Sequence, residues 1–260
     1  MALLKTSNPA LGDKTFQGLP RTQYGGYSGE RGEVMTLNGT INKTGILLVC
    51  AIATAGWTWM QFMQSRDVSE VMPWMLGGMI GGFIVAMVTI FKKEWSPVTA
   101  PAYALLEGLV LGGLSAVFEL RYPGIAIQAV GLTFGTLFVM LFLYRSGVIK
   151  VTDKLRMGIV AATGGIAVFY LLMMVLRMFG INFAGPNGVY GSGMIGIGFS
   201  LLVVGIAALN LVLDFDFIER GVQYGAPKYM EWYGAFGIMM TLIWLYLEML
   251  RLLSKLNRRN

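Results

Sequence analysis

Three acidic side chains stand where an apolar chain has little use for them. In Ala208-Leu-Asn-Leu-Val-Leu-Asp214-Phe-Asp216-Phe-Ile218-Glu219-Arg220 the hydrophobic pattern runs on through two aspartates. Glu107 sits almost at the midpoint of the apolar stretch Val98–Phe118, with about two to three helical turns on either side. An acid in hydrocarbon costs about 2.5–3.5 kcal/mol on insertion scales, so such residues face a bundle interior or a wet cavity. Glutamate is too short to reach the membrane surface from that depth, so Glu107 is protonated, paired or set against a polar cavity. Two readings stay open for these residues. In one, the acids line a hydrated path for protons or cations. In the other, Asp214 and Asp216 cap a span in the headgroup layer and Glu107 is a hydrogen-bonded tie between helices.

Helical spacing ranks the aspartates. Positions two apart point about 200° from each other, so only one can face inward, and Asp214 is the deeper. In the next apolar stretch Thr241 falls at a depth comparable to Asp214 and could donate it a hydrogen bond. Glu248, further along, has Arg251 at i+3, the spacing of a helix-surface ion pair.

The elements that must position these residues are membrane spans. The chain is 55% hydrophobic and only 13% charged, whereas soluble domains have about 25% charged residues. Seven apolar stretches approach the length needed to cross a bilayer: Gly45–Phe62, Met72–Phe91, Val98–Phe118, Ile125–Tyr144, Met157–Leu176, Gly193–Phe217 and Met230–Leu253. The expected fold is an all-α membrane protein, a seven-transmembrane-helix bundle. A short polar cytoplasmic tail (1–44) would precede a transmembrane domain at 45–255. With the N-terminus in the cytoplasm, 13 Lys and Arg fall inside and 7 outside, as the positive-inside rule prefers. The pairs Gly77/Gly81, Gly78/Gly82, Gly108/Gly112 and Gly131/Gly135 are small-xxx-small patterns that predict close helix contacts. Tyr224, Tyr229, Trp232 and Tyr233 read as an interfacial aromatic belt.

Composition also excludes. The chain has no histidine and one cysteine, Cys50. That leaves no His-ligated haem, no ordinary zinc site and no disulfide within the chain. No cofactor, metal site or nucleic-acid partner is expected, and an enzyme is the least favoured class. The Gly-rich Phe183–Gly191 lacks the Lys and Ser/Thr that end a phosphate loop, and reads as an external turn.

Taken in order, the motifs are familiar. Seven spans, an acid closing the sixth, and Leu245-Tyr246-Leu247-Glu248-Met249-Leu250-Arg251 near the end resemble the Bax inhibitor-1/YccA (transmembrane Bax-inhibitor-motif) family. Ser7-Asn8-Pro9-Ala10-Leu11, Leu213-Asp214-Phe-Asp216-Phe-Ile218-Glu219 and Trp244-Leu-Tyr246-Leu-Glu248 look like its bacterial branch. The resemblance implies a seven-helix bundle with the last helix central. Some members are pH-sensitive calcium leak channels in which aspartates on the sixth and seventh helices share a proton. Carried over, Asp214 matches the sixth-helix acid, but the seventh-helix acid falls on Thr241, unless Glu248 takes its place.

The expected function is a passive, proton-modulated Ca²⁺ or cation leak in a bacterial cytoplasmic (inner) membrane. Its ion pathway would use Glu107 and Asp214, with Asp216, Thr241 and Glu248 as further candidates. Carboxylates suit a hard cation with oxygen ligands. The alternative is a non-transporting membrane protein that modulates a protease or stress-response complex, using the basic tail and the loop Arg145–Arg156 as contact surfaces.

Overall fold

The computed structural model describes residues 34–179 and 188–259. The tail before residue 34 and most of the Gly-rich turn lie outside the described residues. Seven α-helices follow one another: α1 (Leu37–Ser65), α2 (Val68–Phe91), α3 (Ser96–Arg121), α4 (Ile125–Arg145), α5 (Asp153–Met178), α6 (Met194–Gln223) and α7 (Met230–Arg259). A 3₁₀ turn, Lys93–Trp95, leads into α3. All seven are long and apolar enough to cross a membrane; the shortest, with 21 residues, reaches about 30 Å at 1.5 Å per residue. The protein is an integral, multi-pass membrane protein.

Four helices, α1, α2, α3 and α5, start earlier than their apolar stretches do. Hydropathy marks what enters hydrocarbon, but capping chemistry marks where a helix begins. The Thr36 side chain accepts from the Gly39 N–H and starts α1 at Leu37, ahead of the expected Gly45. Asp67 does the same for α2 through Ser69, and Thr152 for α5 through Leu155.

The chain divides into two compact units, and both α6 and α7 contribute to each. In the first (34–117 and 214–240), glycines of α2 and α3 mark the close approaches. A methyl group built on Gly112 would lie 2.6 Å from the Cα of Ala55 on α1, and one on Gly108 would lie 2.9 Å from the Cα of Ala51. Gly78 and Gly81 meet Leu106 of α3. Phe62, Val71 and Ala116 form a buried cluster with Trp59, Met63 and Met75 packed against it. Short polar contacts fix the unit's ends: Ser96 Oγ donates to the Tyr229 carbonyl at 2.9 Å, and Met35 N–H to that of Ala226 at 2.7 Å.

The second unit (118–179, 188–213 and 241–259) contains α4, α5, most of α6 and most of α7. Glu119 takes the Ala126 N–H at 3.0 Å and that of Gly124 at the start of α4. Asn210 Nδ2 donates to Thr163 Oγ1 at 2.9 Å, tying α6 to α5. Of the seven helices α5 is the least buried and α7 the most.

Two expectations need correcting. Nothing among the described residues lies within 4 Å of a methyl built on Gly131 or Gly135, so that pair packs against no described helix. Tyr233 is no belt residue: it is 1% exposed, with the Phe217 and Phe236 rings 6.4 and 6.3 Å away. The first turns of α7 are core, which sequence position alone does not reveal.

Two outcomes follow. Gly112→Leu, forced into the α1 backbone, should lower stability by about 1–3 kcal/mol. Gly131→Ala should be neutral or stabilising by about 0.5–1 kcal/mol through helix propensity; thermal unfolding in detergent checks both. At α2, the Ser69 N–H donates to Asp67 Oδ1 at 2.8 Å and holds that carboxyl below its ordinary value. A carboxyl depressed in the folded state stabilises it above the unfolded pKa, about 3.9, and that contribution is lost as pH falls through the lower folded value. Protection of the amides in the first turn of α2, taken relative to intrinsic exchange at each pH, should therefore fall on acidification. Asp67→Asn, which keeps a capping oxygen, should abolish the pH dependence; equal dependence in both proteins would contradict it.

Candidate functional site

Glu107 occupies the middle of α3, half-buried, in the first unit. Its head lies against α2: a methyl built on Gly82 would come within 2.9 Å of a Glu107 carboxylate oxygen. Gly82 is thus the space that the acid occupies. Glu107 has no hydrogen bond or ion pair among the described residues. It is a carboxyl group at mid-helix, beside glycine, with no cation to balance it.

Asp214 has no exposed surface, which makes it the inward member of its pair, as helical geometry requires. Asp216 is partly exposed and takes Arg220 Nε at 2.9 Å, one turn on. Asp214 shares the unit of Glu107; Thr241, 5% exposed, and Glu248 belong to the other.

Glu248 is completely buried and pairs with Arg251 as the i+3 spacing predicted. The same oxygen accepts from Tyr170 OH on α5 at 3.1 Å. Its second oxygen has no hydrogen-bond partner among the described residues. The Arg251 guanidinium also stacks 5.5 Å above the Tyr170 ring. The pair is therefore not a surface one: its acid is sealed and only its cation reaches out.

Three buried charges escaped sequence reasoning: Arg156, 3% exposed in the first turn of α5, Glu231 and Lys255. Glu231, in the first turn of α7, is fully buried. It accepts from Thr36 N at 2.9 Å and Thr36 Oγ1 at 2.8 Å, and pairs with Lys43 and with Lys228, the latter at 3.3 Å. A side chain on Gly39 would overlap its carboxylate. The acid thus sits on the N-terminus of α1, where helix dipole and open N–H groups favour an anion. Lys255, counted from sequence among the charges of the C-terminal end, is 9% exposed. Its Nζ donates to Val189 O at 2.8 Å, Gly196 O at 2.9 Å and Ser200 Oγ at 2.8 Å. The only hint in the sequence is spacing: Thr241, Glu248 and Lys255 recur every seventh residue along α7, two turns apart on one face.

Among the described residues no three Cys, Asp or Glu side chains gather as a metal site would require. What the arrangement provides is one unbalanced intramembrane acid, a sealed aspartate, and several acids held by cations.

A profile of the family described as Bax inhibitor 1 like matches residues 8–258, nearly the whole chain. No curated protein and no solved structure matches.

The Glu231 cluster makes a direct prediction. Removing one partner of a buried pair strands the other, so Glu231→Ala should cost about 3 kcal/mol. In a double-mutant cycle with Lys43→Met the two changes should couple by at least about 1 kcal/mol. Additive losses in denaturant unfolding would show that the pair is decorative.

Proposed function

The chain belongs to the Bax inhibitor 1 like family, and on that premise we propose that it is a pH-modulated leak pathway for Ca²⁺ or a similar hard cation. The observation that carries this reading is Glu107, a carboxyl group in mid-membrane with no balancing cation among the described residues. An acid in such a place is costly unless water, a proton or an ion reaches it. Oxygen ligands of negative charge suit Ca²⁺, and the buried Asp214 supplies a second such group in the same unit. Acidification neutralises both and weakens cation entry. The resemblance puts the family's second aspartate at Thr241, and on that reading, unless Glu248 takes its place, the switch works without a proton shared between two acids and responds to pH more gradually. The N-terminus faces the cytoplasm of a bacterial inner membrane in this reading.

A second reading has its own support. Asp216, Glu231 and Glu248 are all held by cations, as in a protein whose acids serve only to fasten helices. Such a protein acts by binding a membrane protease or a stress-response complex.

Ca²⁺ flux into proteoliposomes at several pH values separates the two. Flux should fall on acidification, and Glu107→Gln or Asp214→Asn should reduce it roughly tenfold, the cost of one charge-assisted contact. Equal flux in both variants would remove these acids from the pathway. Flux no greater than in empty liposomes, with a stoichiometric partner lost on deleting residues 1–40, would favour the second reading.

A further inference from the structure

Where α5 ends, α6 begins and α7 nears its end, the second unit gathers exposed cations beside exposed apolar surface. Arg251 is held from behind: one nitrogen, Nη1, binds the buried Glu248 and lies 3.5 Å from Tyr170 OH. Its side chain is nevertheless 45% exposed, and its Nε and Nη2 have no partner among the described residues. The guanidinium is thus fixed in place with its outer edge open. Tyr190 stands beside it, 43% exposed, with its ring 6.4 Å from that of Tyr170. Lys255 fixes this neighbour by binding the Val189 carbonyl, and its three donors are spent on protein oxygens. The Tyr190 hydroxyl has no partner among the described residues. Arg177 follows Tyr170 by seven residues on α5, on the same helix face, and its charge, like that of Arg251, opposes the rise that burial causes in the Tyr190 pKa. Arg177, in the last turn of α5, is exposed and has no ion pair among the described residues. The C-terminal end of α5 and the first residues of α6 carry the exposed side chains of Met178, Phe179, Met194 and Ile195.

We propose that Arg251, Arg177 and the Tyr190 hydroxyl hold the phosphate of an anionic phospholipid, whose acyl chains lie on the neighbouring apolar side chains. The donor set suits a phosphate: guanidiniums give it paired charge-assisted bonds, and a tyrosine at the membrane interface adds a neutral one. The local charge is right, since the ends of α5 and α7 carry Arg177, Arg251, Lys255 and Arg258 against the single acid Glu248. The apolar bank decides between lipid and free phosphate, because only a lipid covers both halves of the surface. Glu248 acts here as a positioning residue: it takes one guanidinium nitrogen and leaves the opposite edge to the ligand.

The test uses the full chain, purified in micelles containing equal amounts of phosphatidylglycerol and phosphatidylcholine, with retained lipid counted by native mass spectrometry. Wild type should keep phosphatidylglycerol in preference. Arg177→Gln should weaken that preference about tenfold and Tyr190→Phe about threefold, as expected for a charged and a neutral hydrogen bond. Arg251→Gln strands the buried Glu248 and can unfold the protein, so the other two variants carry the test. Equal retention of the two lipids by wild type would overturn the proposal. So would a preference that survives both variants, or displacement of the lipid by inorganic phosphate at similar concentration.

Discussion

Hydrocarbon offers an ionised side chain nothing to bind, and that constraint organises the polar half of this protein. An ion moved out of water costs several kcal/mol unless partners inside the protein replace its hydration. The chain meets the demand in three ways. Glu231 and Glu248 find cations, Lys43 and Lys228 for the first and Arg251 for the second. Lys255 finds neutral oxygens, two carbonyls and a hydroxyl. Asp216 stays near the surface and pairs with Arg220. Against that background Glu107 stands out, because no described residue replaces its lost hydration.

Glycine connects this electrostatic pattern to packing. Between helices in lipid there is no hydrophobic drive, so contact depends on how closely backbones approach. Gly108 and Gly112 bring α3 onto the backbone of α1 at Ala51 and Ala55. Gly82 belongs to the same type of motif but makes room for the Glu107 carboxylate instead of a backbone. Gly39 does likewise for Glu231. In both places the missing side chain is what lets a charge sit against a helix.

Much of this is legible in the amino-acid sequence. The number and order of the spans follow from hydropathy, and the inward choice of Asp214 over Asp216 from a rotation of about 200°. The Glu248–Arg251 pair follows from its spacing. Other features were not legible, for physical reasons. Helix starts at Leu37, Val68 and Asp153 depend on caps at Thr36, Asp67 and Thr152, which hydropathy does not see. Glu231 stands at the very start of its apolar stretch, and its burial depends on Thr36 and Lys43, some 190 positions away. Gly131/Gly135 has the pattern of Gly108/Gly112, yet it meets open space. A small-residue pair permits contact without specifying a neighbour.

The central claim is that water or ions reach Glu107 inside the membrane. Cys50 is the chain's one cysteine, so a Cys50→Ser background is silent to thiol reagents. In that background Glu107→Cys should react with a membrane-impermeant cationic thiol reagent, and added Ca²⁺ should slow the reaction. A cysteine at the exposed, apolar Phe138 supplies the lipid-facing reference. Reaction at position 107 no faster than at 138, at every pH, would contradict the account.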